Sequence, residues 1–290
     1  MPEQNKKQIS RSIAAIDRFQ QKHSVIGFVY AVIKKYQDDE AATQCALITY
    51  YGFLSLFPLL LVLTSILQAV LKSNEALHQK IITSLSQYFP VFGNEIESSI
   101  RSPHKSGLAL VVGLLFILYG ARGGADAFRN AMDKIWRIPK AEQPGFPASI
   151  FISLKIILFG ALGLSAAAFF SSLATSLGHS FIYRIVAVLV SVIVLYGVFI
   201  MLFKWATSSK RVGFRDFEMG ALFAAIGIEL LHLVGVVIIK HQLKHLSILY
   251  GTFAVVLGIM FWIYLQAQVV MFCVEADTVR KLKLWPRNIT

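Results

Sequence analysis

The 290-residue chain is 56% hydrophobic and 15% charged, yet it carries a net charge of +12. Soluble domains average about 25% charged residues, so this composition excludes an ordinary water-soluble fold. The basic excess suggests nucleic acid or anionic lipid as a partner, and its distribution along the chain decides between them.

Residues 1–23 are polar overall, with Ile9, Ile13, Ile16 and Phe19 at helical spacing, and Val25 to Ile33 continue an apolar face. Region 1–40 is therefore predicted to form one or two amphipathic helices on the inner membrane surface. The first apolar stretch, Ser24 to Ile33, is interrupted and has no small-residue cleavage site. No cleavable signal peptide is expected, and the first span doubles as the targeting signal.

Six apolar stretches follow: Thr43 to Leu71 without a charge, Gly107 to Gly120, Ala148 to Thr175, Phe181 to Leu202, Glu218 to Ile239, and Ser247 to Val274. A hydrocarbon core about 30 Å thick needs roughly 20 helical residues, and a helix satisfies its own backbone in lipid. The reading is an all-α polytopic membrane protein with six transmembrane helices and amphipathic surface helices. Its transmembrane domain covers 41–279, with spans near 43–71, 107–126, 148–175, 181–204, 216–239 and 247–275, before a basic cytoplasmic tail over 280–290. Pro58 falls mid-span and is expected to kink the first helix. Residues 72–106 form the longest connection, where Leu77, Ile81 and Leu85 mark an amphipathic cap that Pro90 stops.

With the N-terminus inside, the inner segments hold 20 Lys and Arg and the outer segments seven. That asymmetry places both termini in the cytoplasm. Anionic inner-leaflet lipid then accounts for the basic charge, and no nucleic-acid partner is expected. Cys45 and Cys273 fall at cytoplasmic ends of the first and last spans, where free thiols are the expected state.

Polar groups at membrane depth are costly and point to function. The uncharged part of the second span, Gly107 to Gly120, reaches only about 21 Å at 1.5 Å per residue. To cross, it continues through Arg122 and Asp126, one turn apart on one face. Arg129, Asp133 and Arg137 extend that face as an expected solvated stripe of weak pairs. Thr49 and Tyr50 of the first span, Lys155 of the third, and Gln266 and Gln268 of the sixth lie at the same depth. Together these predict a water-filled cavity open to the cytoplasm, made positive by Arg122 and Lys155, with Asp126 orienting Arg122. The alternative has Lys155 snorkelling to the headgroups and the glutamines bonding to backbone.

Glu229 is the deepest acid, with His232 three residues on, a candidate proton relay or a buried structural bond. Gly220, Gly227 and Gly235 occupy another face of that helix, which should therefore be packed on two sides. Gly251 and Gly258 mark a further close contact on the last span. His241 and His245 are a weak metal motif without a nearby acid. No catalytic residue, resident metal or cofactor is assigned.

Three blocks carry a family resemblance: DEAATQCALITYYGFLSLFPLLLVL (38–62), YGARGGADAFRNAMDKIWRIP (119–139) and YGTFAVVLGIMFWIYLQAQVVMFCVEAD (250–277). In that order they resemble the YihY/BrkB-type inner-membrane family, over about residues 25–280. The resemblance implies a six-helix protein of the bacterial inner membrane, with a transporter among its readings. Two labels travel with the family, ribonuclease BN and a virulence or serum-resistance factor, and neither brings a catalytic motif that matches these residues. The expected function is a transporter or lipid-handling permease for an anionic amphiphile or small anion, working among membrane lipids and not as an enzyme. A membrane-bound ribonuclease and a non-transporting envelope scaffold are the alternatives.

Overall fold

The computed structural model describes residues 24–70, 107–176, 181–250 and 253–285. Within them the fold is all-helical: α1 Ser24–Asp38, α2 Ala41–Val70, α3 Gly107–Ile135, α4 Ala148–Ser176, α5 Phe181–Ala206, α6 Glu218–Tyr250 and α7 Phe253–Lys281. Short 3₁₀ turns at Lys140–Glu142 and Phe214–Phe217 join α3 to α4 and α5 to α6. Helices α2 to α7 coincide with the six apolar stretches. Three segments of the described residues are long and apolar enough to cross a membrane: Ala148–Ala167, Ile185–Ala206 and Val256–Lys281. The amphipathic segment before residue 24, the cap at 72–106, Gly251 and the end of the basic tail lie outside the described residues.

Two helices outrun their expected bounds for local reasons. Helix α3 continues past 126 because Ala127, Ala131, Met132 and Ile135 find buried partners there. It then stops at Arg137, whose φ of 53° lets Arg137 N donate to Lys134 O and Ile138 N to Asp133 O. That pairing satisfies the last carbonyls of the helix in the Schellman pattern. Helix α6 runs to Tyr250, so 240–250 is helix and not a connection. No glycine or proline falls between Gly235 and Gly251 to end it earlier. Helix α2 is unbroken through Pro58.

Neighbours in the chain are neighbours in space. Each of α2 to α7 packs on the next, and α7 returns to α2, closing a ring of six helices with α1 on its outside against α7. Glycines set the closest seams. A Cβ at Gly123 would strike the Tyr51 ring, and one at Gly120 would lie 2.9 Å from Cβ of Ser55, so α2 and α3 touch almost backbone to backbone. Along α6, Cβ atoms at Gly220, Gly227 and Gly235 would run into Asp277, Val269 and Trp262 of α7. Glu229 faces the other way, to Ser191 of α5. Helix α6 is thus packed on two sides, as the spacing of its glycines predicts.

One end of the ring is closed by aromatic rings. Phe128, Phe199 and Phe217 surround the fully buried Phe203 at centroid distances of 6.3, 5.6 and 6.0 Å, and Trp136 meets Phe217 edge-on at 5.2 Å. Edge-on and tilted pairs of this kind add about 0.5–1.5 kcal/mol each beyond their burial.

Candidate functional site

All six ring helices line a central cavity of about 380 Å³. Glycines make much of the room: Gly52 on α2, Gly120 and Gly124 on α3, and Gly160 on α4. Ile156, Phe199, Ile228 and Ile263 supply apolar wall, and among the described residues the lining contains no charged side chain. Ser55 and Gln266 are its polar side chains, and Ser55 donates to the carbonyl of Gly52 at 2.8 Å. The cavity ends against Phe128 and Phe199, above the aromatic closure. Ala161 and Leu164 line it and are also exposed, so it reaches the outer surface of the ring beside α4.

Of the residues expected to form a polar cavity, Gln266 lines this one and the others face elsewhere. Successive helical residues turn by about 100°, so a shared depth does not mean a shared face. Arg122 and Asp126 lie around α3 from Gly120 and Gly124, and Arg122 is half-exposed with Nε 3.5 Å from Asp126 Oδ2. Lys155 sits on the outward stripe of α4 with the exposed Leu154, Leu158 and Leu162. That is the snorkelling geometry. Thr49 is buried but donates within its own helix, to Cys45 O at 2.7 Å, and Tyr50 is exposed, edge-on to Tyr51. Gln268 turns to the hydroxyl of Tyr36 on α1. Glu229 accepts from Ser191 at 3.0 Å, while His232 Nδ1 stands 4.0 Å away, beyond hydrogen-bond reach. His241 and His245 fall on the last turns of α6, and their side chains lie outside the described residues. Cys45 is buried and Cys273 half-buried, and both are free.

Charge is instead concentrated at the aromatic end of the ring, in groups that the sequence reading left in solvent. Arg129 is buried and donates through Nη1 to Ser149 Oγ at 2.9 Å, Ser149 O at 3.2 Å and Ser153 Oγ at 3.3 Å on α4. Ser153 in turn donates to Asp126 Oδ1 at 2.6 Å. Asp133 is buried and accepts from the amide and hydroxyl of Ser208 at 2.8 and 2.7 Å, tying α3 to the chain after α5. Burial pushes its carboxyl above the ordinary value, against the Ser208 bonds and the charge of Arg129. Spacing did place Arg129 and Asp133 on one stripe of α3. The missing signal was that α4 and the segment after α5 would cover it.

Lys35 is fully buried where α1 meets the ring. It donates to Asp39, to Glu275 of α7 at 2.8 Å and to the carbonyl of Ile135 at 2.9 Å. Beside it Tyr36 stacks on Phe272 at 4.0 Å and meets Cys45 Sγ at 3.7 Å. Burial and the Cys45 thiol push the Tyr36 hydroxyl well above its ordinary range. Nearby, Glu40 pairs with Lys134 at 2.8 Å, and that hydrogen bond and charge hold the carboxyl below its ordinary value. Asp277 Oδ1 accepts the amide of Gly220 at 2.9 Å, placing a carboxylate at the N-terminus of α6, where the helix dipole favours it.

The family model for virulence factor BrkB matches residues 32–287. The chain belongs to the BrkB family. The match covers every described helix except the start of α1. Relatives in the family are membrane proteins by name. One from Psychrobacter sp. strain PRwf-1, a UPF0761 membrane protein, is 26% identical over 87% of this chain. The chain spans about half of that relative, 48% of its length. A UPF0761 membrane protein of Vibrio vulnificus strain YJ016 is 24% identical over 86% of this chain and 81% of its own length. The inner membrane protein YhjD of Escherichia coli K12 is 24% identical over 92% of this chain and 85% of its own. No solved structure matches the chain. This BrkB-family chain is a membrane protein.

Proposed function

We propose that the protein is a multi-pass protein of the bacterial inner membrane, crossing six times with both termini in the cytoplasm, and that it transports or otherwise handles an amphiphilic lipid. The observation that carries this reading is the cavity of about 380 Å³ with an uncharged, glycine-rich wall reached from the side of the ring. Its size falls within the range of small-molecule sites, and its wall favours an apolar chain over a soluble anion. Outward leucines on α4 and α5, Leu154, Leu158, Leu162 and Leu189, would meet acyl chains, so a lipid has a short path from bilayer to cavity. Arg122 and Lys155 stand outside the wall, where they would meet an anionic head and not a buried tail. Glu229 is the acid beside the cavity residue Ile228, and with His232 it is our candidate for proton coupling. The reading includes no catalytic activity and no nucleic-acid partner.

The test fills the cavity. A Cβ at Gly160 would lie 3.8 Å from Leu202, in ordinary contact, and Gly160→Leu would extend the rest of its side chain from this cavity-lining position. Native mass spectrometry of the protein extracted in mild detergent should find bound lipid in the parent and lose it in Gly160→Leu. Fluorescent lysolipid flux in proteoliposomes should fall with it. Flux and lipid content equal in both proteins would overturn the proposal. The aromatic closure and the paired charges at one end favour a second reading, an envelope scaffold with no flux, which the same flux assay separates.

A further inference from the structure

We infer that the α3–α4 seam beside the cavity is a headgroup site for a single-chain amphiphile with one negative charge; this rests on the lipid-handling reading above. The seam and the cavity are consecutive turns of the same two helices. Ala125 lines the cavity and Arg129 lies four residues on; Ile156 and Ile157 line it and Ser153 lies three and four residues before them. Residues at those spacings share a helix face. An apolar wall therefore passes within one turn into a polar edge made by Arg129, Asp126, Ser149 and Ser153, with Arg122 outside it.

Two features leave this edge able to take an anion. Arg129 is buried, yet its Nε has no hydrogen-bond partner among the described residues, although Nη1 is fully engaged with α4. Arg122 is half-exposed and held by Asp126 only at 3.5 Å, which is longer than a hydrogen bond. Arg129 and Asp126 in the edge balance, and Arg122 beside it brings the net charge to +1, which one phosphodiester or carboxylate head neutralises. The cavity sets the tail. At roughly 30 Å³ for a water-sized group, it holds about a dozen such groups. Methylenes are of similar size, so the space suits one acyl chain and not two.

The experiment uses the full chain in maltoside detergent, with thermal shift and native mass spectrometry as readouts. The probes are lysophosphatidylglycerol (net charge −1), lysophosphatidylcholine (neutral), two-chain phosphatidylglycerol, and glycerol 3-phosphate as a head without a tail. We expect lysophosphatidylglycerol to bind about tenfold tighter than lysophosphatidylcholine, which carries the same phosphodiester but sets a choline cation against the two arginines. Two-chain lipid should bind more weakly, and glycerol 3-phosphate should give no shift. Arg129→Gln should erase the preference for the anion. Because that change also removes bonds to α4, Arg122→Gln serves as the second variant, and it should shrink the preference while leaving neutral lysolipid binding intact. Equal binding of the two lysolipids, or a preference untouched in Arg122→Gln and Arg129→Gln, overturns the headgroup site and leaves the cavity reading standing. Failure of every chain-bearing probe to bind overturns the cavity reading itself.

Discussion

Helix α3 holds two regions of opposite chemistry within a few turns. Its Gly120 and Gly124 line an apolar cavity shared by six helices, whereas its Arg129, Asp133 and Ile135 carbonyl sit in a charged layer where nearly every bond crosses to another helix. In the first region the absence of side chains does the structural work, and in the second their charges do. Under the proposed lipid-handling role, stability and function separate along one helix. The charged end resists change because a buried ion stripped of its partner is costly, while the cavity wall at Gly160 tolerates a small substitution because a Cβ there makes only ordinary contact.

The predictions test that separation. The largest effect should come from Lys35→Met, which leaves Glu275 and Asp39 buried without their cation. It should cost about 3–5 kcal/mol, read as thermal or denaturant unfolding in detergent. Adding Glu275→Leu should return much of that loss. If the double variant is no better than the single, the pair is not what holds α1 to α7.

Next come the glycines, which differ by region. Gly123→Ala and Gly235→Ala should each cost about 1–3 kcal/mol, because Tyr51 and Trp262 fill the space a methyl needs. Gly160→Ala on the cavity wall should instead gain about 0.5–1 kcal/mol from helix propensity. Equal effects at all three would deny any contrast between cavity and seam. Ser208→Ala, which removes a hydroxyl from the buried Asp133, should cost about 1–3 kcal/mol.

A smaller effect depends on pH. Partial burial pushes the Asp216 carboxyl up, but the bonds from Lys281 and from the Gly213 amide, with the charges of Lys281 and Arg280, outweigh it and leave it below its ordinary value. A carboxyl lowered on folding stabilises above the ordinary carboxylate range and loses that contribution as pH falls through its folded value. The melting advantage of the parent over Asp216→Asn should thus be present at neutral pH and vanish in acid. A difference that grew in acid would contradict this account. Arg137→Gly at the left-handed end of α3 should stabilise by about 1 kcal/mol, a gain of the same order as that at Gly160, read as a raised melting temperature.

Much of the architecture was legible in the chain because apolar length and glycine spacing are local signals. The stretches 148–175 and 181–204 match α4 and α5 to within two residues, and Gly220, Gly227 and Gly235 announced a tight partner. The site was less legible, for a geometrical reason. Depth along a helix can be counted from its end, but the direction a side chain takes around the axis depends on which helices are adjacent. Arg122, Lys155 and Tyr50 share a level with Gln266 and point away from it. Arg129 looked like a solvent-facing neighbour of Arg137 until α4 covered it. The buried Lys35 was equally hidden, since its partner Glu275 is 240 residues away.

The fit of Trp262 against Gly235 also limits how this molecule can change shape. A slide of α6 past α7 by one turn would set that indole against Leu231, whose branched side chain is half-buried there, or would pull Asp277 off the Gly220 amide. The two helices therefore travel together as a rigid plate. If the protein alternates access, as the proposed transport would require, that motion has to open a joint other than α6–α7, and the α3–α4 seam would have to release the bonds of Ser149 and Ser153 to do so.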